Sequence, residues 1–427
     1  MTARPAGMQS AMHTLKLQTP EVDLLAWLEG LPGGPKLYWA ARDGSLELAG
    51  WGVADEIIAA DPAALLRKLQ RKTFPRDPAV RYLGGLRFDP HAAPDTQWEK
   101  FGIGRFVLPE ILLCRTAGRV QATGFSSQSG AAARLQKLLG KPVAAAATPA
   151  PRLQLVAQTP GRARWLRQVA AVTGLIRKGR VSKIVLARSS RFQLSSACSP
   201  WQLLRRLQAS SADCCLFGFQ PDAGATFLGA TPERLYRRRS RDIESEALAG
   251  TRPRGRDTRA DRQLGRDLLG DAKEREEHRL VTDAIAAALQ LLCSRLEIGR
   301  RRQLRRLDSV QHLFTPLAGR LLGRTTDADL IRRLHPTPAV CGTPTATARR
   351  QIAALEPFDR GWYAGLVGWI SAREAELDVA IRSGLLEGRT LRLYTGAGIV
   401  RNSDPAAEWD EVEHKLAGFL ERLRHDA

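Results

Sequence analysis

The sequence predicts an α+β protein built mainly from antiparallel strands, and three observations carry that expectation. Short apolar runs punctuated by Gly and Pro fill its first third, as half-buried strands and turns require. Two β-prone segments near the middle, LFGFQ and TFLGATPERLY, have the spacing of a hairpin pair. Beyond them strands and helices are interspersed without the regular alternation that builds a doubly wound parallel sheet.

Taken in order, LYWAARDGSLELAGWG (37–52), VRYLGGLRFDP (80–90) and RFVLPEILLCR (105–115) read as strands of a β-rich N-terminal subdomain, residues 1–150. KPVAAAATPAP (141–151) reads as a connection or exposed loop, opening a catalytic region over 151–427. Trp165, Val169, Val172 and Ile176 recur at helical spacing, and Gly179 supplies a stop. VSKIVLARSSRF (181–192) reads as a strand, residues 261–296 as one long helical stretch, and ELDVAIRSGLL and TLRLYTGAGIV as two further strands. A closing helix is expected from Ala406 to about Leu423.

Composition excludes several classes. At 427 residues the chain can bury a large core, and 44% apolar with 26% charged residues is ordinary for a globular protein. No apolar run is long enough for a membrane span, and the N-terminus lacks a signal-peptide core, so a cytoplasmic protein with no membrane partner is expected. Six scattered cysteines without a CxxC pair argue against a zinc site or a disulfide framework. The net charge of +21 raises the question of nucleic acid, with basic clusters at Arg237–Arg239 and Arg300–Arg306. No aromatics interleave with them and no recognition module accompanies them, so solvated arginines are the reading and no nucleic-acid partner is expected. Such a field also favours capture of a small dianion.

Several residues could carry chemistry. Glu274 and Glu277, and likewise Glu408 and Glu411, are three apart on predicted helices, so each pair shares a face. Such pairs are usually solvated; two of them converging from two helices would suit Mg²⁺. Lys183 interrupts an apolar strand, as an edge or snorkelling lysine does, or as a desolvated base does. Glu233 follows Thr231–Pro232 in a turn, where a glutamate is commonly a helix-start or loop residue. Gly250–Thr251 and Gly396–Ala397–Gly398 offer backbone N–H groups to a carboxylate, but neither a dinucleotide nor a phosphate-loop fingerprint is present. His312 reads by default as a satisfied core histidine.

KIVLAR, FLGATPERL, ALAGTRPRG, KEREEHRLV, VQHLFTPLAG, LHPTPAVCGTP, DRGWYAGLVGW, DVAIRSG and YTGAGIVRNSDPAAEWDEVEHK, spread over about residues 162–420, resemble the chorismate-utilising enzyme family. The family includes anthranilate, aminodeoxychorismate, isochorismate and salicylate synthases. The resemblance implies two large antiparallel sheets packed face to face and flanked by helices, with the active site between them. Amine-adding members carry Gln at the position of Lys183, and aminodeoxychorismate synthase a nucleophilic Lys at that of Ala249; this chain looks like the water-adding members. LYWAARDG and YLGGLRFDP look like menaquinone-type and plant isochorismate synthases.

That resemblance implies an Mg²⁺-dependent isomerisation of chorismate to isochorismate, with Lys183 activating water and Glu233 protonating the leaving hydroxyl. It implies Glu277 and Glu411 as the nearest metal ligands, with Glu274 and Glu408 beside them. It places Arg382 on a substrate carboxylate, and Lys415, the Thr251 hydroxyl and the N–H groups of Gly250, Gly398 and Ile399 on the remaining oxygens. Tyr394 is placed against the substrate, at a position whose chemistry varies among members. The expected partner is chorismate alone, bound by a monomer or weak homodimer. Salicylate synthase, which adds pyruvate elimination, is the nearest rival; a nucleic-acid-binding protein on an inactive scaffold is the rival of another class.

Overall fold

The computed structural model describes residues 13–19, 22–126, 149–307 and 310–424. Two sheets dominate it, and every strand pairing among the described residues is antiparallel. The first runs His13–Thr19, Arg119–Ser126, Ile111–Thr116, Glu47–Trp51, Lys36–Ala40, Cys215–Gln220, Ala225–Thr231, Ser383–Glu387, Thr390–Ile399, Lys183–Leu194 and Gly342–Thr343, with Leu153–Thr159 also paired to Lys183–Leu194. The second runs Cys293–Ile298, Val310–Leu321, Asp242–Pro253, Arg234–Arg239, Glu374–Val379, Leu366–Ile370, Tyr82–Leu86, Gly104–Leu108 and Asp55–Ile58, with Gln303–Arg306 also on Val310–Leu321. Strands from before residue 127 therefore extend both sheets.

The sheets pack face to face through a shared apolar core. Trp39 of the first stands edge-on to Trp369 of the second, ring centroids 6.1 Å apart. Central strands such as Lys36–Ala40, Ala225–Thr231 and Leu366–Ile370 are buried at every position, because one face meets the other sheet and the opposite face is covered by helices or further core. The α+β expectation holds.

Where the strands change sheets, the sequence reading is corrected. TFLGATPERLY is two strands, Ala225–Thr231 in the first sheet and Arg234–Arg239 in the second, with Pro232 and Glu233 at the crossing. ELDVAIRSGLL is also two, crossing back at Ala380–Arg382, and residues 105–115 divide in the same way around Pro109 and Glu110. The first two crossings are sewn together: Thr231 Oγ1 donates to Val379 O at 2.7 Å, Val379 N to Glu233 O at 2.9 Å, and Ala230 N to Arg382 O at 3.1 Å.

The long helix over 261–296 is corrected too. Asp271 closes Thr258–Gly270 and caps Ala272–Gln290, its side chain accepting from Glu274 N at 3.0 Å, and a strand begins at Cys293. The helix Arg162–Arg177 buries Trp165, Val169, Val172 and Ile176, and Gly179 follows at φ 69°, a left-handed stop that suits glycine. The closing helix runs Pro405–Arg424. Residues 141–148 of the expected loop lie outside the described residues. No helix among the described residues is long and apolar enough to cross a membrane, and all six cysteines are free thiols.

Candidate active site

The sewn crossings open a cleft of about 800 Å³ between the sheets, lined by Glu233, Gly250, Thr251, Glu277, His312, Tyr363, Arg382, Tyr394, Gly396, Gly398, Glu411 and Lys415 among others. Three ingredients build it: the sheet crossings, the N-terminal turns of two helices, and a glycine-bearing strand.

Along Thr390–Ile399, Tyr394, Gly396 and Gly398 share the face that looks into the cleft, opposite Ser189, Ala187 and Val185. A Cβ at 398 would displace the Glu277 carboxylate and come within 2.9 Å of Lys183 Cε, so glycine there leaves that ion pair its place. Gly250 stands at φ 77°, and a Cβ on it would be 3.0 Å from Glu274 Oε2. Ile399 is fully buried and is not part of the lining.

Lys183 is neither an edge lysine nor a snorkelling one: it is 0% exposed, its Nζ 2.9 Å from Glu277 Oε1. Glu233 is 4% exposed at the crossing. Burial first, then the charge of Glu246, pushes its carboxyl up to about 8, against the pull of Lys183 and Thr337. It is therefore an acid that keeps its proton at neutral pH.

All four sequence-nominated glutamates come together at the helix N-termini, with Glu277 and Glu411 on the cleft wall and Glu274 and Glu408 buried behind. Yet no three carboxylate, imidazole or thiol groups among the described residues meet at one point. Lysines stand between them instead. Glu277 pairs with Lys183, Glu408 with Lys273 at 2.7 Å, and Glu411 with Lys415 at 2.6 Å. Glu274, which accepts Thr251 N at 3.0 Å, is left 3.9 Å from Lys273. Four carboxylates thus face three ammonium groups, and like charges at low dielectric turn to the nearest cation.

The imbalance is legible in their acidities. Glu274 is pushed up to about 7 by burial and by Glu277, and Glu408 is raised by burial and by Glu411. Burial works to raise Glu411 as well, but Lys415 holds it below the usual carboxylate value. Glu408 Oε2 is buried with no hydrogen-bond partner. A crowded, all-oxygen set with surplus negative charge and an orphaned oxygen fits a hard divalent cation.

Arg382 is half-buried at φ 50°, in the left-handed region, and its guanidinium has no ion-pair partner among the described residues. Lys415 Nζ also donates to Gly396 O at 2.9 Å. Tyr394 stacks on Tyr363, centroids 5.1 Å apart.

The sequence reading missed His312 and Tyr363 as cleft residues. His312 Nδ1 lies 3.2 Å from Gly250 O and 3.1 Å from Thr251 Oγ1. A carbonyl only accepts, so Nδ1 carries the ring proton; Nε2 is a bare acceptor, and burial drives the pKa down to about 3. The period-two alternation of VQHLF, read beside Thr251, was the available signal.

The cleft, with a buried lysine, a buried glutamate whose acidity is weakened and clustered carboxylates around it, is now matched by ancestry, for the family described as chorismate binding enzyme matches residues 3–424. The chain belongs to that family. It is 33% identical to the isochorismate synthase MenF of Escherichia coli over 408 residues, covering 94% of this chain and 91% of that one. It is 35% identical to the salicylate biosynthesis isochorismate synthase of Pseudomonas aeruginosa over 407 residues, covering 91% and 85%. The solved structure of the menaquinone-specific isochorismate synthase of E. coli superposes with a TM-score of 0.84 at 30% identity, over 97% of this chorismate-binding chain and 95% of that one.

Proposed function

We propose that the protein is an isochorismate synthase, an isomerase that moves the hydroxyl of chorismate from C4 to C2 by attack of water. The observation that carries this reading is the pair of opposed groups, a completely buried Lys183 and a Glu233 whose carboxyl is pushed up to about 8.

Lys183 takes the proton from water as the oxygen attacks C2, and Glu233 gives its proton to the C4 oxygen as that bond breaks. Ala249 leaves no amine to compete as nucleophile. Arg382, with no anionic partner among the described residues, takes a substrate carboxylate in a bidentate fork. Lys415, the Thr251 hydroxyl and the N–H groups of Gly250 and Gly398 take the other oxygens, and Tyr394 packs on the substrate.

Mg²⁺ would be held by Glu277 and Glu411, with Glu274 and Glu408 behind them, and when bound supplies positive charge to the ring carboxylate. The basic clusters support a small anionic substrate rather than nucleic acid, because Arg237, Arg238, Arg305 and Arg306 are engaged in ion pairs within the chain. The same reading takes the enzyme as a cytoplasmic monomer or weak homodimer.

The test is incubation with chorismate and Mg²⁺, with no nucleotide or flavin, and chromatographic identification of products. Isochorismate in reversible equilibrium with chorismate is expected; salicylate with pyruvate as the main product would assign the chain to salicylate synthase instead.

A further inference from the structure

Behind Glu233 stands a carboxylate that touches no part of the cleft. Glu246, on the strand Asp242–Pro253, is 4% exposed and not among the lining residues. Both its oxygens accept from Arg42, at 2.9 Å from Nη1 and 2.6 Å from Nη2. Arg305 Nη1 lies 3.1 Å from each oxygen, its guanidinium stacked 4.0 Å above the Phe314 ring. Arg234 N donates to Oε1 at 2.9 Å.

Every partner is a donor, an arrangement that only an ionised carboxylate satisfies. Two of these contacts bracket Glu233: the Arg234 N–H on one side, and on the other Arg42 Nη1, which also donates to Pro232 O at 3.3 Å. The turn bearing the acid thus hangs on a buried anion, braced by an arginine from the N-terminal part of the chain.

We propose that Glu246, clamped by Arg42 and Arg305, is a positioning residue for Glu233, fixing the Pro232–Arg234 turn and supplying the negative field that keeps the acid protonated. The inference rests on reading Glu233 as the acid. The groups facing Glu233 are Glu246, which raises its pKa, Lys183 and Thr337, which lower it, and the Tyr363 hydroxyl. Those facing Glu246 are Arg42, Arg234 and Arg305.

The sign follows from these charges. Removing the Glu246 anion leaves its arginines uncompensated, so Glu233 loses its proton at lower pH. Removing the Arg305 cation does the reverse. The experiment is the pH profile of kcat for isochorismate formation in the full chain with Mg²⁺, for Glu246→Gln, Arg305→Met and Glu233→Gln. The alkaline limb should move down by about one pH unit in Glu246→Gln, the scale of a neighbouring charge, and move up in Arg305→Met. A purely structural role would lower kcat in both without moving the limbs apart.

An unmoved limb in either folded variant, or limbs moving the same way, overturns the inference. Arg305 is partly exposed, so its variant carries the test if Glu246→Gln does not fold. Full activity in Glu233→Gln would instead remove the acid assignment itself, which separates the two failures.

Discussion

Replacing Glu233 by Gln should abolish most activity while making the protein more stable at alkaline pH. A glutamate at its ordinary 4.5 would hold its proton in only about one molecule in 300 at pH 7, whereas at about 8 roughly nine in ten hold it. The crossing therefore supplies the acid form through burial. That has a thermodynamic counterpart. A carboxyl raised on folding stabilises the fold fully below its unfolded value, near 4.5, and loses that contribution as pH rises through about 8. Across that interval the loss amounts to no more than about 5 kcal/mol, at about 1.4 kcal/mol per pH unit. Gln keeps the shape and has no proton to lose, so at pH 9 Glu233→Gln should melt at higher temperature than the parent, while at pH 4.5 the difference shrinks. Its kcat should fall roughly 10²–10⁴-fold, the usual contribution of a positioned proton donor. Thermal denaturation from pH 4.5 to 9, beside kcat on chorismate over the same range, measures both. A variant no more stable than the parent at pH 9, or a parent kcat flat through pH 8, would refute the reasoning.

Three further perturbations test the rest of the cleft. Lys183→Ala should cost roughly 10²–10⁴-fold in kcat with an unchanged circular dichroism spectrum; a loss below about threefold, far short of a proton-transfer role, would return Lys183 to a structural part. Glu277→Ala and Glu411→Ala should each abolish Mg²⁺-dependent turnover, and full activity of the parent in excess chelator would remove the metal assignment. Arg382→Gly should raise KM steeply, yet leave stability unchanged or higher by up to about 1 kcal/mol, because glycine adopts φ 50° without strain; an unchanged KM would show that no substrate carboxylate binds there.

What the sequence made legible was local. The helix around Trp165 and Ile176, the strand around Lys183 and the closing helix follow from periodicity and sit where it places them. The break at Asp271 was also written locally, as an Asp followed by Glu three residues on, a capping signal overlooked within a helical pattern. The crossings were not. Pro232 marks a turn in FLGATPERLY locally, but that this turn, and Ala380–Arg382 in ELDVAIRSGLL, carry the chain into the other sheet is decided by contacts such as Thr231 with Val379, 148 positions away. For the same reason the glutamates, Lys183 and Lys415 were found but their pairing was not, and Lys273 was missed. Lys183 and Glu277 are 94 positions apart in sequence and 2.9 Å apart in space.

That nonlocality explains why the acid sits where it does. Within a strand, Glu233 would be fixed by ladder bonds but would face a single sheet. At a crossing, its backbone carbonyl is tied to Val379 N and its neighbour's N–H to Glu246, both in the second sheet, while its own N–H donates to Thr231 Oγ1 at the end of a first-sheet strand, and the gap between the sheets becomes the cleft. Arg382, at the partner crossing, gains the same position at the cost of left-handed backbone. These two crossings thus each carry one ionisable group to the cleft: one a buried acid, the other a cation with no ion-pair partner among the described residues. On the proposed function, an anionic substrate would meet attraction from Arg382 and Lys415 and little repulsion from Glu233, whose carboxyl is pushed up to about 8 by burial. Were Glu233 an ordinary exposed carboxylate, it would both repel the dianion and lack the proton the leaving hydroxyl needs.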